Sequence, residues 1–188
     1  NYGSDAICPL DYTQDFRLEV IDTANNRSAV ATTRMIPPIS FGSITLTWND
    51  AGDKAYAFLR APDNGNEANF YRIQLHKNRL FRPDSLTGGF INIAKNPEFD
   101  ITIDDEPFFN GEDIAFGTNY DYEVGDTLIA TLYHIEKAYY EYLGDLGDSQ
   151  NANGNPFAQP LKIRSNVQGG TGIFTFLLYD RDTIPVVR

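Results

Sequence analysis

A chain of 188 residues with 41% hydrophobic content can bury one core, or one core and part of a second, which excludes general disorder. Against 15 basic residues stand 26 acidic ones, and the formal charge of −11 repels nucleic-acid phosphates and anionic headgroups, so neither is an expected partner. The single cysteine, Cys8, excludes an internal disulfide and any CxxC redox or metal motif.

No run approaches the roughly 20 apolar residues that span a bilayer. The start, NYGSDAICPLDYTQ, has neither the basic nor the apolar region of a signal peptide, and Asp5-Ala6-Ile7 before Cys8 is no lipobox. An export signal or lipid anchor is expected to lie upstream of this chain.

Phe16, Leu18 and Val20 alternate with Arg17 and Glu19, the period of a half-buried strand. DTANN (22–26) turns the chain, and RSAVATTR (27–34) returns as its hairpin partner. Pro37-Pro38 ends that unit, since neither residue can donate to a ladder. Strand patterns follow at FGSITLTW (41–48), NFYRIQLH (69–76), FINIA (90–94), FDITID (99–104), DIAF (113–116) and DTLIATLYHI (126–135). Clusters of Gly, Asn, Asp and Pro separate them, as in a sandwich or barrel.

One stretch has a different period. Ile135, Ala138, Tyr139, Tyr142, Leu143 and Leu146 share one face of a helix, with Glu136, Lys137, Glu141 and Asp145 opposite. Gly144 and Gly147 weaken it, and GDSQNANGN is expected not to continue it. The expected architecture is mainly β: an immunoglobulin-like β-sandwich over 37–188, carrying one short amphipathic helix near 134–146. Residues 1–36 form a hairpin at the end of an N-terminal β-domain.

Chemistry-bearing patterns are sparse. His76 and His134 are far apart in sequence, lie in or beside strands, and have no HExxH context, so both read as core or rim histidines. Ser165 sits in IRSNV rather than on a GxSxG elbow. Gly170-Thr171-Gly172 is followed by Thr175 where a dinucleotide loop has its third glycine, and by strand-like FTFLLY where a helix should start. Asp100, Asp104, Asp105, Glu106, Glu112 and Asp113 gather about one turn and supply the hard oxygens that calcium takes; solvated loop acids are the preferred reading. SQNANGN imitates part of a calcium loop with Asn151, Asn153 and Gly154, but lacks its first Asp and its bidentate Glu. Among the tyrosines, Tyr120, Tyr122, Tyr139 and Tyr142 read as packing residues and Tyr140 as free to stack on a ligand. No residue is assigned as catalytic, cofactor-binding or metal-binding, and no cofactor is expected beyond that secondary calcium reading.

The densest punctuation lies in NPFAQPLKIRSNVQGGTGIFTFLLY, residues 155–179. Pro156 and Pro160 hold an extended chain, Asn166 and the glycines permit a tight corner, and GIFTFLLY then re-enters a sheet. A fold corner is expected, not a ligand cradle. Substitution at Asn166, Gly169 or Gly170 should therefore impair folding before binding, with Gly170 as the candidate for positive φ.

The run Pro156-Phe157…Ser165-Asn166-Val167…Gly169-Gly170-Thr171-Gly172-Ile173-Phe174 resembles Bacteroidota envelope lipoproteins of domain of unknown function family 4249. GDTL, LYHI and YYEYL before it, and FRLEV, ATTRMIPPI, FYRIQL and FFNGE further upstream, extend the resemblance over nearly the whole chain. It implies a non-enzymatic accessory binding or assembly subunit, lipid-anchored at the outer membrane and exposed at the cell surface. Its implied partner is a TonB-dependent receptor of nutrient uptake. The alternatives are a structural adhesin or filament subunit that accepts a donated strand, and a glycan hydrolase using two loop carboxylates.

Overall fold

The structure, a computed structural model, describes residues 10–78, 81–83, 90–92, 97–104, 111–119, 121–152 and 162–188. It is mainly β, with one helix among the described residues. Contacts divide it into two compact units: Asn1–Pro37 with Ala138–Leu177, and Pro38–Lys137 with Leu178–Arg188.

In the first unit, β1 (Asp15–Asp22) and β2 (Arg27–Arg34) pair antiparallel, residue for residue, from Asp15 opposite Arg34 to Asp22 opposite Arg27. The short turn between the strands sets this register, and the half-buried strand read from the sequence is found only at its start: Phe16 is half-buried, whereas Leu18 and Val20 are exposed. Asp22 shapes the turn, accepting the amides of Ala24 and Asn25 and the side-chain amide of Asn25, while Asn26 takes φ of 51°. Val167–Gln168, a short β11, pairs with the far side of β2, giving the order β1-β2-β11. Phe176 sets its ring edge-on against Phe16, 4.8 Å between centroids.

The second unit is the sandwich. One sheet has β3 (Ser43–Trp48), β4 (Ala55–Ala61) and β9 (Ile114–Gly117). The other runs β12 (Tyr179–Pro185), β10 (Thr127–Ile135), β5 (Phe70–Lys77) and β8 (Phe99–Asp104), all antiparallel. Ala55, Ala57, Leu59 and Ala61 of β4 meet Tyr71, Ile73 and Leu75 of β5 and Leu128, Ala130 and Leu132 of β10 in one buried cluster. Each large side chain removed from water there contributes roughly 1.5–3 kcal/mol. A short pair, β6 (Phe81–Pro83) with β7 (Phe90–Asn92), completes the strands among the described residues.

Three sequence expectations change. Helix α1 spans Lys137–Ala152, not 134–146. Its start moves because His134 and Ile135 are the last rungs of β10, opposite Tyr71 and Phe70. Its end moves because the turn around Gly144 and Gly147, which glycine disfavours in a helix interior, is tied from outside by Arg164, described below. Second, AYAFLR, to which the sequence pattern assigned no element, is β4, whose inward positions are mostly alanine. Third, GIFTFLLY does not re-enter a sheet as a strand: β12 begins only at Tyr179, and Gly172–Leu178 stays outside any ladder.

Candidate functional site

The punctuated segment folds as a closed corner. Ser165 Oγ accepts the amides of Val167 and Gly172, each at 3.1 Å, and donates to the Gly172 carbonyl at 2.8 Å. The neighbouring Asn166 clamps Phe174 on both sides: its Oδ1 accepts the Phe174 amide at 2.9 Å and its Nδ2 donates to the Phe174 carbonyl at 2.7 Å. Two consecutive short polar side chains thus satisfy backbone groups that β11 cannot reach. This also explains why Phe174 joins no strand, since both of its backbone groups are already used.

Positive φ falls on Gly169 (82°) and Gly172 (152°), not on Gly170. A Cβ on Gly169 would stand 2.2 Å from the Ser28 carbonyl oxygen, whereas one on Gly170 would meet Val167 Cγ1 at an ordinary 3.5 Å. The critical glycine is therefore one residue earlier than the sequence indicated.

Beside the corner lies a cleft of about 730 Å³, lined by α1 residues Ala138 and Glu141 and by Lys162, Arg164, Ser165 and Gly170 among others. Its wall is an ion-pair clamp. Arg164 donates Nε and Nη2 to the two carboxylate oxygens of Asp145, at 2.8 and 2.7 Å, and its own amide to Asp145 Oδ2 at 2.7 Å. Nη1 lies 3.2 Å from Glu141 Oε1. Hydrogen bonds from the Arg164 side chain and then its amide hold the Asp145 carboxyl at about 2, below the ordinary 3.8. A carboxyl depressed in this way supports the corner above its ordinary value and ceases to as pH falls toward the depressed one. A carboxyl-detected NMR titration should therefore place the Asp145 midpoint near 2. A midpoint at the ordinary aspartate value would remove the clamp. Asp145 and Arg164 are 19 positions apart, a spacing that carries no sequence signal.

A second cleft, about 510 Å³, lies in the sandwich among Lys77, Glu98, Phe99, Thr118, Asp121 and Tyr122. Lys77 Nζ sits 2.7 Å from Asp126 Oδ2 and donates to the Asp121 carbonyl at 3.1 Å. Burial alone would raise the Asp126 carboxyl, but Lys77, the Glu123 amide and Asn78 together hold it below its usual value. Burial, with Asp121, Glu98 and Asp126 nearby, pushes the Tyr122 hydroxyl up to about 12.

The two histidines do not converge. His134 lies opposite Tyr71, on the core face of the sheet, and stacks on that ring at 5.1 Å while its Nε2 meets Asn69 Oδ1 at 3.0 Å. His76 lies opposite Ile129, on the other face of the sheet, and is buried. Of the clustered acids, Asp100 is bonded to Arg72 Nε and Nη2 at 2.8 and 2.5 Å and to Gln74 at 3.0 Å. Asp104 stands four residues along β8, while Glu112 and Asp113 are exposed. Asp105, Glu106, Tyr120, Asn153, Gly154, Pro156 and Pro160 lie outside the described residues. Among the described residues no three His, Cys, Asp or Glu side chains gather in a metal-holding group. Tyr122 and Tyr139 are buried, as expected of packing residues, and Tyr142 is half-buried. Tyr140 is half-buried too, not free.

No helix among the described residues is long and apolar enough to cross a membrane. The family model described as Domain of unknown function (DUF4249) matches residues 1–182. No curated protein and no solved structure matches the chain.

Proposed function

We propose that this chain, which belongs to the family described as Domain of unknown function (DUF4249), is a non-enzymatic accessory subunit of the cell envelope. It binds or assembles with other envelope proteins, and its partner is a TonB-dependent outer-membrane receptor engaged in nutrient uptake. Attachment to the outer membrane is through a lipid anchor on a segment preceding this chain.

The observation that carries this reading is the use of charge in the two clefts. Arg164 is spent on Asp145 and Glu141, and Lys77 on Asp126, so these groups brace loops and a helix. The carboxyls of Asp145 and Asp126, which pair with the cleft residues Arg164 and Lys77, are held down, as in structural ion pairs, whereas a general acid is poised by being raised. A binding scaffold uses charge in this way. The resemblance to envelope lipoproteins is what favours this compartment and this class of partner.

Affinity purification of the protein from its native membranes tests the proposal. Stoichiometric recovery of a TonB-dependent receptor is the expected result. Recovery without any receptor, together with oligosaccharide turnover that one Asp or Glu substitution abolishes, would replace it with the hydrolase alternative.

A further inference from the structure

Tyr122 belongs to the buried core cluster of the sandwich and is only 5% exposed. Its backbone is fixed in both directions by Ala55, whose amide it accepts at 2.8 Å and to whose carbonyl it donates at 3.1 Å. A tyrosine packed in this way ordinarily finds a partner for its hydroxyl. The Tyr122 hydroxyl has none among the described residues. Its oxygen is not sealed in the core either, but opens into the second cleft, of about 510 Å³. The position of the missing partner therefore falls inside that cleft.

The walls around it are fixed. Thr118 Oγ accepts the Ala57 amide at 2.9 Å and donates to the Asn119 carbonyl at 2.8 Å, while Phe99 stacks on Phe116 at 4.7 Å. Charge in the cleft is one-sided. Lys77 is tied to the Asp126 carboxylate and the Asp121 carbonyl. Glu98 accepts the Lys77 amide, and neither Glu98 nor Asp121 carries an ion pair among the described residues. Burial, with Asp121, Glu98 and Asp126, pushes the Tyr122 hydroxyl up to about 12, so it remains neutral in a negative field.

We propose that this cleft binds a small organic cation, an ammonium group on an apolar body, with the Tyr122 hydroxyl oxygen accepting an N–H and Asp121 and Glu98 balancing the charge. The volume suits a small molecule. Carboxylate and phosphate ligands are repelled by the same two acids. A neutral saccharide would engage the hydroxyl but gain nothing from the uncompensated charge. A bare metal ion lacks its ligands, since among the described residues no three acids or histidines gather to hold one. The rings of Phe99 and Tyr122 line the cleft and offer an ammonium group their negative faces. Such a site belongs to this chain alone and stands whether or not the receptor proposed above is its partner.

Ligand-observed NMR and melting curves on the whole chain test this, with phenethylamine as the probe. It should bind with a Kd of about 1 mM or tighter. Phenethyl alcohol and phenylacetate, of the same shape without the positive charge, should bind at least about tenfold more weakly. Tyr122→Phe deletes only the hydroxyl and should weaken the amine about tenfold, with no loss of melting temperature. That exchange leaves the formal charge of −11 untouched, so general attraction of an amine to an acidic chain cannot mimic it. Asp121→Asn should also weaken the amine, and by less at high salt. Phenethyl alcohol or methyl glucoside binding as tightly as the amine overturns the proposal and gives the cleft to neutral ligands. Amine binding that ignores Tyr122→Phe overturns it by placing the amine elsewhere. A lower melting temperature for Tyr122→Phe makes the hydroxyl structural and overturns it too, as does no amine binding at about 10 mM.

Discussion

Replacing Gly169 with alanine should destabilise the first unit by about 2–4 kcal/mol. Two costs combine. At φ of 82° any side chain is strained, and the new Cβ would sit 2.2 Å from the Ser28 carbonyl oxygen. That oxygen belongs to the backbone beside β2 residues Val30 and Ala31, which pair with β11, so relief requires pulling the corner off the sheet. A chain of this size should then melt on the order of 10 °C lower. Gly170→Ala is the matched control. Its backbone is not left-handed and its Cβ would make an ordinary contact, so a change within about 0.5 kcal/mol is expected. Equal melting temperatures for the two variants would contradict the geometry of the corner.

Leu132→Ala should cost about 2–5 kcal/mol through the cavity it leaves. Leu132 is fully buried, lies on the core face of β10 opposite Ile73, and stands in the middle of the four-stranded sheet. Leu18→Ala on β1 removes the same atoms from a site 40% exposed, and should change stability by less than about 0.5 kcal/mol. Chemical denaturation of both variants checks the contrast. If the two losses were similar, the core would not lie where it is described.

What the sequence revealed, and what it hid, follows from how locally each element is determined. β1, β2, β5, β8 and β10 were legible because large apolar or β-branched residues alternate along them, and their turns carry Asp, Asn and Gly. β4 was not: its core positions include Ala55, Ala57 and Ala61, small because the facing β5 brings Tyr71, Ile73 and Leu75. A column of alanines is a tertiary requirement with no strand signal of its own. β12 was hidden for the opposite reason, as YDRDTIP is an edge strand among the described residues and carries three charged residues in seven. The helix was recognised by its period but misplaced at both ends. A strand ladder claims Ile135, and a charge clamp from residue 164 sustains a turn that local propensity would end. The corner was legible as a corner, since Ser, Asn and Gly in close succession satisfy and bend a backbone. Which glycine bears positive φ was not, because that depends on the approach of Ser28.

The central claim is that residues 165–174 are a structural corner, complete without a ligand. Amide hydrogen exchange in the free protein tests it most directly. The Gly172 amide is bonded to Ser165 Oγ and the Phe174 amide to Asn166 Oδ1, so both should exchange well below random-coil rates with nothing bound. A cradle waiting for a bound group would leave those donors open. Exchange of both amides at random-coil rates in the free protein would contradict the account.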